Sequence, residues 1–238
     1  DDEDEFIRNI STSFKASSEN DILMTLGIQP DNPNTGYGYI QYTENESEIK
    51  KVKNFTEKPS LHKAKEFLAS GDYLWNAGIF VWSVKSILKV FKKYLPDMFN
   101  TLSNNTVFNS EKEEQFINEN YEKCENISID FGIMERAENA HVLPVNFGWN
   151  DLGTWGSLYN KLEKDTRKNA IVGADAVFRE ANGNMIKTQN NKKVIIQGLQ
   201  DFIVVEKEGI LLICPRKDDQ DIKQIMKDAK ENFGKKYI

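Results

Sequence analysis

The sequence predicts an α/β fold followed by a small β-rich unit and a C-terminal helix, and two observations carry this prediction. Through residue 165, apolar runs of strand length alternate with segments whose apolar residues recur at helical spacing. Beyond that residue, short β-like runs succeed one another, with turn residues such as Asn182-Gly183 and Asn190-Asn191 between them. Because 238 residues suffice for one large domain and a smaller one, we expect domains at residues 1–165 and 166–238.

The first part opens with a predicted helix and three predicted strands. Apolar residues recur at helical spacing over 6–14, directly after an acidic start that suits a helix N-terminus. An apolar run predicts a buried strand over 22–26, and the Pro- and Asn-rich segment 27–34 ends it. Aromatic residues predict a strand over 35–42, and alternation predicts another over 51–55.

The next elements are marked by their caps and their polarity. Ser60 is a suitable N-cap for a helix that ends near Gly71. The segment 73–82 has little polarity and predicts a central strand, and a helix over 87–95 behind it stops at Pro96. Further helices are predicted over 98–102, 112–121 and 129–136, and a further strand over 140–145.

The second part contains six short β-like runs and a terminal helix. Ile222, Ile225 and Met226 give that helix, residues 218–233, its apolar face. The β-like runs are 170–172, 176–178, 184–188, 193–197, 202–206 and 210–213.

The composition excludes several classes of protein. Mean hydropathy is −0.58 and no apolar run approaches 18 residues, so we expect no membrane span. The net charge of −6 argues against a general nucleic-acid binder. Cys124 and Cys214 form no CxxC motif, which offers no disulfide framework or structural zinc site and fits a reducing cytoplasm.

Two glycines mark the first candidate binding segment. Gly36 and Gly38 flank Tyr37 in the predicted strand over 35–42. Glycine weakens a strand, so these residues indicate either a bulge or a ligand that lies close to the backbone.

An acid and a base follow the strand predicted over 51–55. Glu57 can accept hydrogen bonds from two neighbouring sugar hydroxyls, and the Lys58 ammonium can neutralise a phosphate. Together they match a sugar phosphate. The alternative interpretation is a solvated charge pair at a strand end.

Two further polar residues stand in unusual surroundings. Asn76 is polar among apolar neighbours, and a buried amide of this kind either braces a loop or faces a ligand. Asp151 is either a helix cap or a ligand of Mg²⁺, which prefers one or two carboxylates together with phosphate oxygens. His62 and His141 belong to no recognisable triad, and the sequence has neither a dinucleotide fingerprint nor a GxxxxGK[ST] phosphate loop.

Six short motifs stand in a specific order along the chain. They are GIQP at 27–30, TGYGYI at 35–40, FTEKP at 55–59, WNAGIF at 75–80, DFGIME at 130–135 and GWNDLGTW at 148–155. In this order they closely resemble the mannose-1-phosphate guanylyltransferases, a group of sugar-phosphate nucleotidyltransferases, over nearly the whole chain. The resemblance implies a Rossmann-like nucleotidyltransferase domain, followed by a unit related to a left-handed β-helix.

The resemblance also implies a reaction and its participants. Such enzymes join GTP and mannose 1-phosphate into GDP-mannose and release pyrophosphate. The implied roles are sugar or phosphate contact for Gly36 and Gly38, sugar binding for Glu57 and Asn76, phosphate binding for Lys58 and Mg²⁺ binding for Asp151. Lys58 and Asp151 would be the catalytic residues, and a homodimer is a further expectation.

The start of the chain departs from the family pattern. Relatives begin with a strand and a glycine-rich loop that holds the nucleotide phosphates, and they later supply a second Asp for the metal ion. Asp1 to Phe6 resembles the segment after that Asp. We therefore expect this chain to lack the N-terminal nucleotide-binding segment and to have no meaningful transferase activity alone.

Two other functions stay open at the level of sequence. One is a nucleotidyltransferase that uses another hexose 1-phosphate, since the missing N-terminal part reads most of the base. The other is a non-catalytic module that binds a sugar phosphate or serves in assembly.

Overall fold

The structure is a computed structural model that describes residues 2–103 and 107–234. Its contacts divide the chain into two units, residues 1–149 and 150–238, so the boundary predicted after residue 165 lies inside the second unit. Within the described residues, no helix has both the length and the apolar character needed to cross a membrane.

The first unit contains five strands and five α-helices among its described residues. The α1 helix begins after Asp2, whose side chain accepts a hydrogen bond from the Glu5 N–H, and the acidic first turn suits the positive end of the helix dipole. The elements are α1 Glu3–Glu19, β1 Leu23–Ile28, β2 Tyr39–Thr43, β3 Lys50–Thr56, α2 Leu61–Ser70, β4 Tyr73–Trp82, α3 Val84–Tyr94, α4 Pro96–Leu102, α5 Glu113–Tyr121, a π-helical turn Asp130–Met134 and β5 Ala140–Val145.

The five strands form a sheet in the order β1-β4-β2-β3-β5, which closes on itself because β5 also pairs with β1. The β1–β5 pair is parallel and the other pairs are antiparallel. Leu23, Met24 and Leu26 of β1 are fully buried, which places this strand inside the apolar core. The prediction that residues 73–82 form a central strand is confirmed, since β4 lies between β1 and β2.

Local signals set the limits of the helices around β4. Ser60 caps α2 by accepting the Lys63 N–H, and Gly71 ends the helix with a left-handed φ of 78°, as the sequence predicted. The α3 helix ends before Pro96, and Pro96 begins α4. Proline suits the first helical position because the N–H that it lacks would have no partner in the helix.

Two sequence predictions in this unit are corrected. Gly36 and Gly38 lie in the loop before β2, which begins only at Tyr39. The loop is held in a turn in which Asn34 Oδ1 accepts the Gly36 N–H at 2.7 Å, so the backbone at that point does not join the sheet. Residues 130–134 form a π-helical turn in place of part of the helix predicted over 129–136.

The second unit is an α6 helix, a four-stranded sheet and a terminal helix. Strands β6, β7 and β8 pair in parallel, and β9 pairs antiparallel with β8. This is the β-helix-like unit that was predicted, while its handedness stays a prediction. Its elements are α6 Trp155–Lys161, β6 Ala170–Arg179, β7 Met185–Gln197, β8 Phe202–Lys207, β9 Ile210–Pro215, a 3-10 turn Arg216–Asp221 and α7 Ile222–Phe233.

The predicted short β-like runs merge in pairs into β6 and β7. Gly173, with φ of 81°, bends β6 without ending it. Opposite this bend the register shifts, so that Val172 faces Lys187 while Ala174 faces Lys192. The intervening residues of β7 form a bulge where the sequence predicted a turn at Asn190-Asn191.

Two buried asparagines join the successive windings of this unit. Asn169 and Asn184 are 1% and 0% exposed. Asn184 Nδ2 donates to Asn169 Oδ1 at 3.0 Å and to the Leu199 carbonyl at 2.9 Å, while Asn184 Oδ1 accepts the Phe202 N–H at 3.0 Å. One amide therefore supplies partners to three neighbouring groups, of which one is buried and two are partly buried.

Replacing Asn184 with Ala removes three hydrogen bonds and leaves the Phe202 N–H without its acceptor, while Asn169 Oδ1 and the Leu199 carbonyl each keep one backbone N–H. Because an unpaired polar group costs about 1–3 kcal/mol and each of the other two lost hydrogen bonds about 0.5–1.5 kcal/mol, we expect a loss of about 2–4 kcal/mol in the free energy of unfolding. Urea unfolding followed by circular dichroism measures it. The matched control, Asn160→Ala on the exposed face of α6, should change the value by less than about 0.5 kcal/mol. Equal effects of the two variants would contradict the prediction.

Candidate functional site

The candidate site lies where three segments of the first unit meet. Tyr39, the first residue of β2, faces Thr56 at the end of β3 and Trp75 in β4. Because both pairings are antiparallel, the residue before Tyr39 is next to the residues after Thr56 and Trp75. Gly38, Glu57 and Asn76 are therefore neighbours, and the Asn76 N–H donates to the Gly38 carbonyl at 2.8 Å.

Gly38 provides the space that the Glu57 carboxylate occupies. A Cβ atom at position 38 would lie 2.6 Å from Glu57 Oε2, a distance that real Cβ atoms do not show. Any side chain here would displace the carboxylate, so the requirement for glycine comes from this close approach.

Glu57 and Lys58 form an ion pair with unequal exposure. Lys58 Nζ lies 2.6 Å from Glu57 Oε1, and the exposed fractions of the two side chains are 60% and 7%. The pair is thus a buried carboxylate with a cation at the surface, and not two solvated charges. A buried carboxylate of this kind can accept several hydrogen bonds from one ligand.

The backbone at this turn is in an unfavourable conformation. Lys58 has φ of 44°, in the left-handed region, which costs a non-glycine residue on the order of 1–3 kcal/mol. Directly before it, the Glu57 N–H donates to Glu135 Oε1 at 3.0 Å, a contact between residues 78 positions apart. The turn is therefore held from outside its own segment.

Three hydrogen bonds fix the orientation of the Asn76 amide. Its Oδ1 accepts from Thr25 Oγ1 at 2.9 Å and from the Gly78 N–H at 3.1 Å, and its Nδ2 donates to Asp130 Oδ1 at 3.1 Å. The pairing of β1 with β4 shifts register beside Asn76, and Gly78 has φ of 71°. Bulges of this kind redirect side chains next to functional sites.

The carboxyl group of Asp130 has a raised pKa. Burial is the main cause, because it removes water from the charged form, and the negative charge of Glu57 adds to the effect. Lys58 and the Ser128 side chain act in the opposite direction and only partly offset it. The negative charge of Glu57 therefore disfavours the ionisation of Asp130 within one partly desolvated cluster.

The structure places Gly36 outside this cluster. Its N–H is bound to the Asn34 side chain, and a Cβ atom at position 36 would lie 3.1 Å from Asn34 Oδ1. Between the two glycines, the Tyr37 ring contacts Trp75 and Trp149 edge to face, with centroid distances of 5.1 and 5.4 Å.

Asp151 belongs to the second unit, and its contacts lie within that unit. It does not cap α6, since Thr154 accepts the Ser157 N–H, and Asp151 Oδ1 instead accepts the Gly153 N–H at 2.8 Å. Across residues 2–103 and 107–234, no three His, Cys, Asp or Glu side chains are grouped as for a metal ion. The donor set therefore suits Mg²⁺ only as one carboxylate that acts together with phosphate oxygens of a substrate.

Sequence reasoning missed Thr25, Asp130 and Glu135 as members of the cluster. Thr25 is a polar residue in a buried strand, the same signal that identified Asn76. Asp130 and Glu135 belong to the DFGIME motif, but no local pattern indicates that they contact residues far away in the sequence.

Asp130→Asn tests the raised pKa of this carboxyl group. The folded state keeps the Asp130 proton to a higher pH than the unfolded chain does, so ionisation lowers the free energy of unfolding as pH rises above about 3.9. The variant lacks this loss. We expect its free energy of unfolding, relative to wild type, to rise between about pH 4 and pH 7 in urea titrations. A difference that is constant or falls over this range would contradict the assignment.

Comparison with protein families matches both parts of the chain. Residues 4–168 match the nucleotidyl transferase family, and residues 174–228 match the MannoseP isomerase/GMP-like β-helix domain. The first match ends at residue 168 and the second begins at residue 174, whereas the contacts within the structure divide the chain after residue 149.

Curated relatives and a solved structure agree with this result. A mannose-1-phosphate guanylyltransferase of Escherichia coli is 34% identical over 212 residues, which are 86% of this chain and 45% of the relative. The alginate biosynthesis protein AlgA of Pseudomonas aeruginosa is 32% identical over 218 residues, 89% of this chain and 45% of the relative. The chain therefore spans about half the length of these relatives.

The solved structure covers almost the whole chain. It is a crystal structure named mannose-1-phosphate geranyltransferase, from Thermus thermophilus, with a TM-score of 0.80 and 25% identity over 96% of this chain and 66% of that chain. The chain belongs to the nucleotidyl transferase family, with a mannose-phosphate isomerase/GMP-like β-helix domain after the transferase domain.

Proposed function

We propose that the protein is a nucleotidyltransferase that transfers GMP from GTP to mannose 1-phosphate, giving GDP-mannose and pyrophosphate. The observation that carries the proposal is the meeting of Gly38, Glu57 and Asn76, which come from three segments and form one polar cluster beside the Lys58 cation. The names of the curated relatives support the choice of substrates.

In this proposal the cluster binds the sugar phosphate. Glu57 accepts hydrogen bonds from neighbouring sugar hydroxyls, and Asn76 contacts the sugar through its amide. Lys58 neutralises the phosphate, Gly38 leaves room for the Glu57 carboxylate, and contact of the ligand with Gly36 stays a prediction from the sequence. The 60% exposure of the Lys58 side chain suits a group that must reach a ligand from the edge of the site.

The reaction itself needs no covalent intermediate with the protein. An oxygen of mannose 1-phosphate attacks the α-phosphorus of GTP in line, one P–O bond forms, and the bond to the departing pyrophosphate breaks. Catalysis then consists of alignment and charge neutralisation, to which Lys58 contributes. Asp151 would hold the Mg²⁺, which when bound neutralises phosphate charge.

The decisive experiment supplies the complete gene product with GTP, mannose 1-phosphate and Mg²⁺ and measures GDP-mannose and pyrophosphate. Equal formation of both products supports the proposal. Parallel reactions with UTP, dTTP and other hexose 1-phosphates test the alternative substrates. Binding of mannose 1-phosphate without any turnover would instead support the non-catalytic module, and neither binding nor turnover would exclude both.

Reversing the charge at position 58 tests the phosphate role. We expect Lys58→Glu to lower kcat/KM by at least about 100-fold, because it replaces an attraction to phosphate by a repulsion. Lys63→Glu, on the exposed surface of α2, is the matched charge control and should stay within about threefold of wild type. Similar losses in both variants would indicate bulk charge and not a specific contact.

Asp151→Ala tests the proposed metal role. We expect a loss of at least about 100-fold in kcat, with an unchanged thermal unfolding midpoint, because Thr154 and not Asp151 caps α6. Steady-state assays over a range of Mg²⁺ concentrations measure the effect. A variant with the Mg²⁺ dependence of wild type would contradict the role.

Gly38→Ala tests the space reserved for the Glu57 carboxylate. The added Cβ would clash with the end of the flexible Glu57 side chain and would lie 3.4 Å from Asn76 Cβ and Phe55 Cε1, so the fold should persist while the carboxylate moves. We expect the Kd for mannose 1-phosphate to rise about tenfold in titration calorimetry, which is about 1.4 kcal/mol.

A double-mutant cycle with Glu57→Gln decides whether the two residues act together. If Gly38→Ala acts through Glu57, it should have a much smaller effect in the Glu57→Gln background. Strictly additive effects would show that the glycine acts by another route.

A further inference from the structure

Two carboxylates, Asp130 at the start of the π-helical turn and Glu135 directly after its end, contact the candidate site without any role in the reaction above. Glu135 Oε1 accepts the backbone N–H of Glu57 at 3.0 Å, and Asp130 Oδ1 accepts the Asn76 amide at 3.1 Å. One short element therefore contacts both residues that are proposed to bind the sugar.

The π-helical geometry explains how two residues five positions apart can serve one site. In an α-helix, five residues advance about 500°, so their side chains would point about 140° apart. Here the Glu135 N–H donates to the Asp130 carbonyl at 2.9 Å, which closes a wider turn and brings the two residues one above the other. An α-helical turn would direct only one of the two carboxylates toward the site.

Glu135 stabilises a backbone that is unfavourable by itself. The N–H that it accepts belongs to Glu57, directly before Lys58 with its φ of 44°. The bond fixes the Thr56–Glu57 peptide, which carries the Cα of Glu57 and directly precedes the peptide that leads to Lys58. Because Glu135 contacts the main chain, its effect does not depend on the nature of the Glu57 side chain.

Asp130 determines which groups of Asn76 can face a ligand. The Oδ1 atom has two acceptor positions, and Thr25 and Gly78 take both. Of the two N–H groups, one donates to Asp130, and the other has no protein partner among the described residues. The amide can therefore offer a ligand one donor and no acceptor, and the carboxylate of Asp130 prevents the amide from reversing.

We propose that Asp130 and Glu135 are positioning residues for the sugar phosphate, acting through Asn76 and the Glu57 backbone respectively. The inference rests on the proposed function, because it assigns these residues to the sugar-binding half of the same site. It implies that the π-helical turn controls affinity for the sugar phosphate but not for the nucleotide.

The first test compares two variants of Glu135 in the complete gene product. Glu135→Met keeps the length of the side chain and removes the acceptor, whereas Glu135→Gln keeps an acceptor oxygen and removes the charge. We expect Met to raise the KM for mannose 1-phosphate about tenfold and to leave the KM for GTP within twofold. Gln should stay within about threefold of wild type for both substrates.

The matched control is Glu138→Met, at a carboxylate whose side chain is 87% exposed and lies near Lys93. It should leave both KM values unchanged. A general structural role for Glu135 would instead lower the thermal unfolding midpoint and raise both KM values together. Unchanged KM values in Glu135→Met, or equal defects in Met and Gln, would overturn the inference.

A second pair of variants addresses Asp130 and keeps the test decisive if Glu135→Met does not fold. Asp130→Ala removes the acceptor for the Asn76 amide, and Asp130→Asn keeps one. We expect only Ala to raise the KM for mannose 1-phosphate about tenfold, and equal behaviour of Ala and Asn would overturn the inference.

If wild type neither binds nor converts mannose 1-phosphate, the proposed function fails and this inference fails with it. If the wild type is active but the Asp130 and Glu135 variants show no positioning effect, this inference fails and the proposed function stands.

Discussion

The candidate site depends on the pairing of β2 with two partners. Tyr39 faces Thr56 on one side and Trp75 on the other, and these two main-chain registers bring Gly38, Glu57 and Asn76 together. A shift of one residue in either register would turn every side chain of that strand to the opposite face. The chemistry of the cluster is therefore a consequence of backbone hydrogen bonding, and the buried neighbours of Tyr39 hold that register in place.

The cluster combines groups that are individually unfavourable. It contains a carboxylate with 7% exposure, a left-handed lysine and an aspartic acid with a raised pKa. Such features persist only where the surrounding structure compensates for them, and they concentrate at functional sites. Here the compensation comes from the π-helical turn at Asp130–Met134 and from a bulge in β4. The second unit differs from the cluster in this respect. Its buried Asn169–Asn184 pair uses the two side-chain amides for hydrogen bonds to neighbouring protein groups, and so stabilises the fold.

How far the sequence predicts the structure depends on the range of the interaction. Ser60 and Gly71 set the ends of α2, and β4 coincides with the predicted strand, because caps and hydrophobic runs act over a few residues. The strand predicted from residue 35 begins only at Tyr39, since the Asn34 side chain competes for the backbone there. The sequence predicts two separate short strands on either side of Gly173, whereas in the structure the pairing with β7 continues past this residue.

The sequence by itself determined the classes of element, the order of the motifs and the candidates Gly38, Glu57, Lys58 and Asn76, because residue type and local spacing carry those signals. Only the tertiary structure decided that three of these residues meet, that Gly36 lies outside the cluster, and that Asp130 and Glu135 belong to it. The physical reason is that these contacts join residues such as Glu57 and Glu135, 78 positions apart. Their geometry follows from strand register and from the width of a π-helical turn, neither of which a local pattern specifies.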